Sequence, residues 1–270
     1  MALKLCLNTS TIKPQSLTEK IRLAGEAGYD GIELWVNDIY EFVGQGGEVS
    51  TVEKMLADYG LIVPCMIALR GWGEASEFEY RFMREEAKRR LELCRRLGSP
   101  WLVCSPPVDP CDFGVLTRRY RDLLEIGRQV GGVKPTFEYI SFLKSAYHLN
   151  HAWQVVRDAE DPDATFVLDA FHSWNSNSTL DDLRAIPIER ISHYHIDDAA
   201  PHIPATQQKD ADRVMVGDGV IDLRAEIQVL RDKGYDGTVS LELFNPTLWD
   251  SDPREVVRLG LERMREVCGV

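Results

Sequence analysis

Four residues that could share a divalent cation end four short apolar runs within the stretch 135–245. PTFE ends on Glu138, TFVLD on Asp169, ISHYH on His195 and TVSLE on Glu242. Three carboxylates and one imidazole suit a hard or borderline ion: Mn²⁺, Mg²⁺, Co²⁺ or Zn²⁺. Such an ion grips a carbonyl oxygen and stabilises the negative charge that develops when a proton leaves the neighbouring carbon. A single acid after a strand is more often a helix N-cap or a solvated loop residue. Four at equivalent positions in successive units point instead to one shared site, because a buried carboxylate is costly unless paired or metal-bound.

Other residues fall near these ends. His193 and His195 are two apart, so on a strand they point to the same side and either could ligate; His195 is taken as the ligand. His172, three residues past Asp169, is read as a substrate contact at the same end of its strand. Glu33 lies inside another apolar run, DGIELW, with no partner visible at matching depth, and reads as a structural ion-pair residue. Trp35, Trp72, Trp174 and Trp249 fall just past strand ends, where an aromatic ring can wall a sugar-like ring or cap a core. Trp35 is taken as substrate-facing.

Bringing four distant strand ends to one point requires a parallel β/α repeat, which gathers the C-terminal ends of its strands on one face. The chain shows the matching alternation of periods. LKLCLN (3–8) reads as the first strand, and Leu17, Ile21, Ala24 and Gly28 mark a helix face capped by Ser16, with Glu19 completing a capping box. DGIELW (30–35), LIVPCMIAL (61–69), WLVCSP (101–106), the run closing on Glu138, TFVLD, RISHYHI and TVSLELF supply seven further strands. Pro64 argues against a long regular strand at 61–69, since it donates nothing to a ladder.

Helical stripes lie between the strands. Ser50, Val52, Met55 and Tyr59 mark one that stops at Gly60, with Ser50 as its cap. Phe78, Phe82, Ala87, Leu91, Cys94 and Leu97 mark another that stops at Gly98. Leu116, Tyr120, Leu123, Gly127 and Val130 follow, then Leu149, Trp153, Val156 and Ala159, then a short helix capped around Ser178, Thr179 and Asp181. The last two carry Leu223, Ile227 and Leu230, and Val256, Gly260, Met264 and Val267. Eight strands alternating with eight helices predict an α/β fold of the closed (β/α)8 TIM-barrel type, with residues 1–270 as one domain. The segment 197–219 is too long for an ordinary connection and reads as a lid or binding loop.

Composition narrows the partners. With 270 residues and 44% hydrophobic content the chain can bury one large core. Its net charge of −12 repels phosphate backbones and anionic lipid, which argues against nucleic acid and membrane partners. The amino terminus reads as a strand from the start, without a charged leader or apolar signal segment, and a soluble cytoplasmic protein is expected. The six cysteines form no CxxC pair, and Cys6, Cys65 and Cys104 sit inside apolar runs, so inert buried thiols are expected. No glycine-rich phosphate loop follows a strand, and no organic cofactor is expected. A homo-oligomer is left open.

The segments DAFHSW, SHYHIDDA, DRVMVGDGVIDL and VSLELFNP resemble those of the xylose-isomerase-like TIM-barrel superfamily of sugar isomerases and epimerases, and within it the inosose isomerase type. The resemblance covers most of the chain, with its specific motifs between Glu138 and Pro246. It implies that Glu138, Asp169, His195 and Glu242 hold one divalent ion and that Glu138 and Glu242 act as the acid/base pair. It also implies that His172 of the D-x-x-H segment and Arg213, ahead of Gly217 and Gly219, bind substrate. Lys144 stands where many ketose 3-epimerases carry a second glutamate, which weakens the epimerase reading. The activity implied is proton transfer beside the carbonyl of a sugar or cyclitol through an enediolate; a dehydratase of the 3-dehydroshikimate type is the alternative.

Overall fold

The structure, a computed structural model, describes residues 3–270, which include the whole of the first strand read from sequence, 3–8. Eight parallel strands close into a barrel: β1 (Lys4–Asn8), β2 (Gly31–Trp35), β3 (Met66–Leu69), β4 (Trp101–Cys104), β5 (Lys134–Phe137), β6 (Thr165–Asp169), β7 (Ile191–Ile196) and β10 (Thr238–Leu241). Closure comes from β1, which pairs with β2 on one side and β10 on the other. β8 (Asp198–Ala199) and β9 (Arg213–Val214) form a separate antiparallel pair. The fold is the expected TIM barrel.

Helices cover the outside: α1 (Leu17–Ala27), α2 (Val36–Gly44), α3 (Val49–Tyr59), α4 (Glu77–Arg96), α5 (Phe113–Gln129), α6 (Leu149–Asp158), α7 (Ala170–Asn175), α8 (Leu180–Ala185), α9 (Leu223–Asp232), α10 (Pro246–Trp249) and α11 (Pro253–Cys268). Ile21, Ala87, Leu91, Leu123, Val155 and Met264 from their apolar stripes are fully buried against the strands. None of these helices is long and apolar enough to cross a membrane.

Local departures from the sequence reading have identifiable causes. The run 61–69 is a strand only over Met66–Leu69, with one bridge between Gly31 and Ile62 on the far side of Pro64. Ser16 does cap α1, accepting from the Glu19 amide at 3.3 Å, but the Glu19 carboxylate is held by Arg22 at 2.8 Å and closes no box. The reciprocal box forms at Ser76 and Glu79 instead. α3 begins before Ser50, with Glu48 in the cap position, and Ser50 bonds the Glu48 carboxylate at 3.0 Å. α2 was not foreseen, although Val36 and Ile39 at i, i+3 bury one face of it.

Two features of the strands set up the site. Between β6 and β7 the register shifts, so that Phe166 faces Ile191 but Val167 faces His193, and Asp169 then lies beside His195. Between β1 and β2, Asn8 lies beside Glu33. The segment 197–219 is an ordered flap over the same end of the barrel. The Asp198 carboxylate accepts from the amides of Gly217, Gly219 and Ile221 at 2.9–3.1 Å. A Cβ at Gly219 would stand 2.2 Å from Asp198 Oδ1, so only glycine permits that approach. Gln208, fully buried, bonds Ala200 through both its amide atoms.

Candidate active site

Asp169, His195 and Glu242, all buried, bring one donor atom each to within 4.8 Å of one another. His195 Nδ1 lies 3.1 Å from Glu242 Oε2 and 3.7 Å from Asp169 Oδ2, yet makes no hydrogen bond. On its other edge, His195 Nε2 is 3.0 Å from Glu33 Oε1. With Nε2 turned to Glu33, Nδ1 is the edge left to the cluster; against burial, the charges of Glu242 and Glu33 raise the ring's pKa, and a bound ion would take the place of the Nδ1 proton. Two carboxylate oxygens and one such nitrogen form a donor set that fits Mn²⁺, Co²⁺ or Zn²⁺. Asp169 serves twice: Oδ1 caps α7 by accepting from the His172 amide at 2.7 Å, and Oδ2 faces the cluster. The bland role of a helix cap and the chemical role thus belong to different oxygens of one side chain.

Glu138, the fourth ligand expected from sequence, is buried but outside this group. Its Oε2 accepts from Ser105 Oγ at 2.8 Å. Burial, with the charge of Glu242 added, pushes its carboxyl up to about 7, against smaller opposing effects of His195, Ser105 and Arg70. Near neutral pH this group exists in both protonation states, the condition a proton-transfer residue needs.

Arg213 is 1% exposed and lies against the cluster. Its Nη1 is 3.0 Å from Asp169 Oδ2 and 3.3 Å from Glu242 Oε2, and it also pairs with Asp197. The guanidinium therefore touches the same two oxygens that His195 Nδ1 faces, closer in than a clamp on the rim. Burial disfavours the Asp169 charge, but the field of the adjacent Arg213 guanidinium outweighs it and holds the carboxyl well below its ordinary range. Asp197 behaves oppositely: burial and the neighbouring charge of Asp169 raise it in spite of Arg213. Arg213 Nη2 is 3.1 Å from His172 Nε2. Burial lowers the His172 pKa, so the ring is neutral and accepts that bond, while Nδ1 faces Ser141 Oγ at 3.1 Å.

Trp35 lines a cavity of about 210 Å³ with Thr9, Ser10, Lys13, Asn37 and Phe244. Its indole N–H is committed to Asn8 Oδ1 at 3.1 Å, which leaves the ring face, over which the Arg70 guanidinium sits at 5.3 Å, as its contact surface. Trp72 is fully buried against Tyr120 and Phe137 and belongs to the core. Trp249 donates to Ser10 O, with Lys13 over its ring. Lys144 is exposed and pairs with Asp109. Asn8, Glu33 and Asp197 were not singled out as site residues from sequence. The sign available was a polar residue inside or closing an apolar strand, as in LCLN, GIELW and HIDD.

The sequence matches the Xylose isomerase-like TIM barrel family over residues 21–267. The chain belongs to this family. It is 27% identical to inosose isomerase of Bacillus licheniformis across 98% of both chains. It is also 24% identical to 3-dehydroshikimate dehydratase of Pseudomonas putida, across 92% of this chain and 39% of that protein. The crystal structure of the IOLI protein with a binding zinc atom superposes with a TM-score of 0.92, at 25% identity and over 99% of this chain and 98% of that one. A protein solved with a zinc atom thus shares this chain's fold over nearly its whole length.

Proposed function

We propose that this chain is a divalent-metal-dependent isomerase or epimerase that moves a proton next to the carbonyl of a sugar or cyclitol ketone. The observation that carries this reading is the meeting of Asp169, His195 and Glu242, with a lone imidazole nitrogen facing two carboxylate oxygens, beside a second glutamate pushed up to about 7. Asp169, His195 and Glu242 would hold the ion, whose positive charge stabilises an oxyanion developing on the substrate. Glu138 takes or returns the proton at carbon: Ser105 holds one of its oxygens and leaves the other for the substrate. Glu242 is the second carboxylate of the pair, steadied at Oε1 by Asn8 at 2.9 Å. Arg213 orients substrate oxygens, kept in place by His172 and Asp197. The flap 197–219 carries Arg213 and excludes water from the enediolate.

The relationship to 3-dehydroshikimate dehydratase supports a second outcome from the same start, in which loss of a proton beside the ketone is followed by loss of a hydroxyl as water. One panel separates the two. Zn²⁺- or Mn²⁺-loaded protein is incubated in D₂O with keto-inositols, ketohexoses and 3-dehydroshikimate. Deuterium in an isomeric product supports the isomerase reading, and release of water with an unsaturated product supports the dehydratase. Absence of exchange with every ketone overturns both.

A further inference from the structure

We infer that Glu33 and Asn8 are positioning residues for the candidate metal centre, deciding which nitrogen of His195 and which oxygen of Glu242 face it. This rests on reading Asp169, His195 and Glu242 as the ligands. Neither residue reaches the convergence point of those three; both act from behind it.

Glu33 sits in the middle of β2 and is fully buried. A carboxylate there is tolerated only with partners, and it has three: Asn8 Nδ2 at 2.8 Å, His195 Nε2 at 3.0 Å and His193 Nε2 at 3.4 Å. By taking the Nε2 proton of His195 it fixes the ring's rotation and leaves Nδ1 as the nitrogen directed at Asp169 and Glu242. A histidine held by a carboxylate on its far nitrogen is a more basic and better aimed ligand.

Asn8 closes the arrangement from the neighbouring strand. Its amide nitrogen donates to Glu33 Oε2 and, at 2.9 Å, to Glu242 Oε1. Its oxygen accepts from the Trp35 indole at 3.1 Å and the Ser10 amide at 2.9 Å. The amide cannot be reversed, because its oxygen would then face two carboxylates and its nitrogen two N–H donors. With Oε1 of Glu242 bound in this way, Oε2 is the oxygen presented to His195 Nδ1. One asparagine thus links the residue that aims the histidine to the residue that supplies the facing carboxylate, and ties both to the Trp35 ring.

Purified wild type, Glu33→Gln and Asn8→Leu are compared in three measurements: Zn²⁺ affinity by competition with a chromophoric chelator, the visible spectrum of the Co²⁺-loaded protein, and thermal melting by circular dichroism. Both variants are expected to fold and to bind Zn²⁺ about 10- to 100-fold more weakly than wild type, the usual effect of removing a residue that orients a ligand. Their Co²⁺ bands are expected to shift, which a purely stabilising role would not produce. Wild-type affinity together with a wild-type Co²⁺ spectrum in the variants overturns the inference while leaving the metal reading intact. If wild type itself binds neither ion, the metal reading fails and this inference with it. Should Glu33→Gln not fold, Asn8→Leu decides by the same two readouts.

Discussion

Inside the barrel, β3, β4 and β6 contribute Ile67, Val103 and Val167 to a small apolar cluster with Cys65, whereas β1, β2, β7 and β10 bring Asn8, Glu33, His193 and His195 together and end beside Glu242. β6 belongs to both regions, since Val167 and Asp169, two residues apart, share a face. The apolar side is held by volume, and a smaller residue there leaves only a cavity. On the ionic side each group is another's partner, so removing one leaves a buried charge uncompensated. The ionic partners therefore sit on one arc, and Glu138, just past β5, brings a reacting group from the apolar side to the same mouth.

The contrast between packing and chemistry is broken most forcefully with two substitutions, one of a reacting group and one of an apolar one. Glu138→Gln keeps the shape of the side chain but cannot exchange a proton near neutral pH, so turnover should fall at least ~10²-fold with melting temperature nearly unchanged. Val103→Ala should do the opposite. Loss of buried methyl groups costs about 1–3 kcal/mol, a drop of several degrees in melting temperature, with metal affinity and turnover retained. Parallel kinetics and melting curves on the two proteins check this. A Val103→Ala enzyme that melts normally but has lost activity would erase the division between the arcs.

A smaller effect is expected at Glu226 of α9, a buried acid outside both arcs. It accepts from Tyr194 Oη at 2.7 Å, and burial, aided by the charges of Asp169, Asp222 and Asp198, pushes its carboxyl from 4.5 up to about 7. Because the folded protein holds this proton more tightly than the unfolded chain, the group costs stability as pH rises from about 4.5, and the cost is complete above about 7. Glu226→Gln removes that dependence. The melting temperature of the variant relative to wild type should rise by a few degrees across this interval and then level off; a gap independent of pH would contradict it.

The barrel was legible because strand and helix periods alternate throughout, and because Glu138, Asp169, His195 and Glu242 each end an apolar run. Asp169 and His195 do meet, and the reason lies in a register shift between β6 and β7 that no local pattern announces. Glu33 read as an ion-pair residue without a visible partner. Its partners, His193 and His195, are far along the chain and come within reach only when β1 closes the barrel by pairing with both β2 and β10. Asn8 was passed over because an asparagine at a strand end usually begins a turn. α2 was passed over because its short stripe runs directly out of β2 with no capping side chain to mark its start.

The proposed activity requires Asp169, His195 and Glu242 to hold an ion together. The most direct measurement is the metal content of wild type, Asp169→Ala and His195→Ala after loading with Zn²⁺ and exhaustive dialysis. Wild type should retain about one ion per chain and each variant almost none, since losing one of three protein ligands leaves too few to compete with water. Equal occupancy in all three proteins would contradict the site.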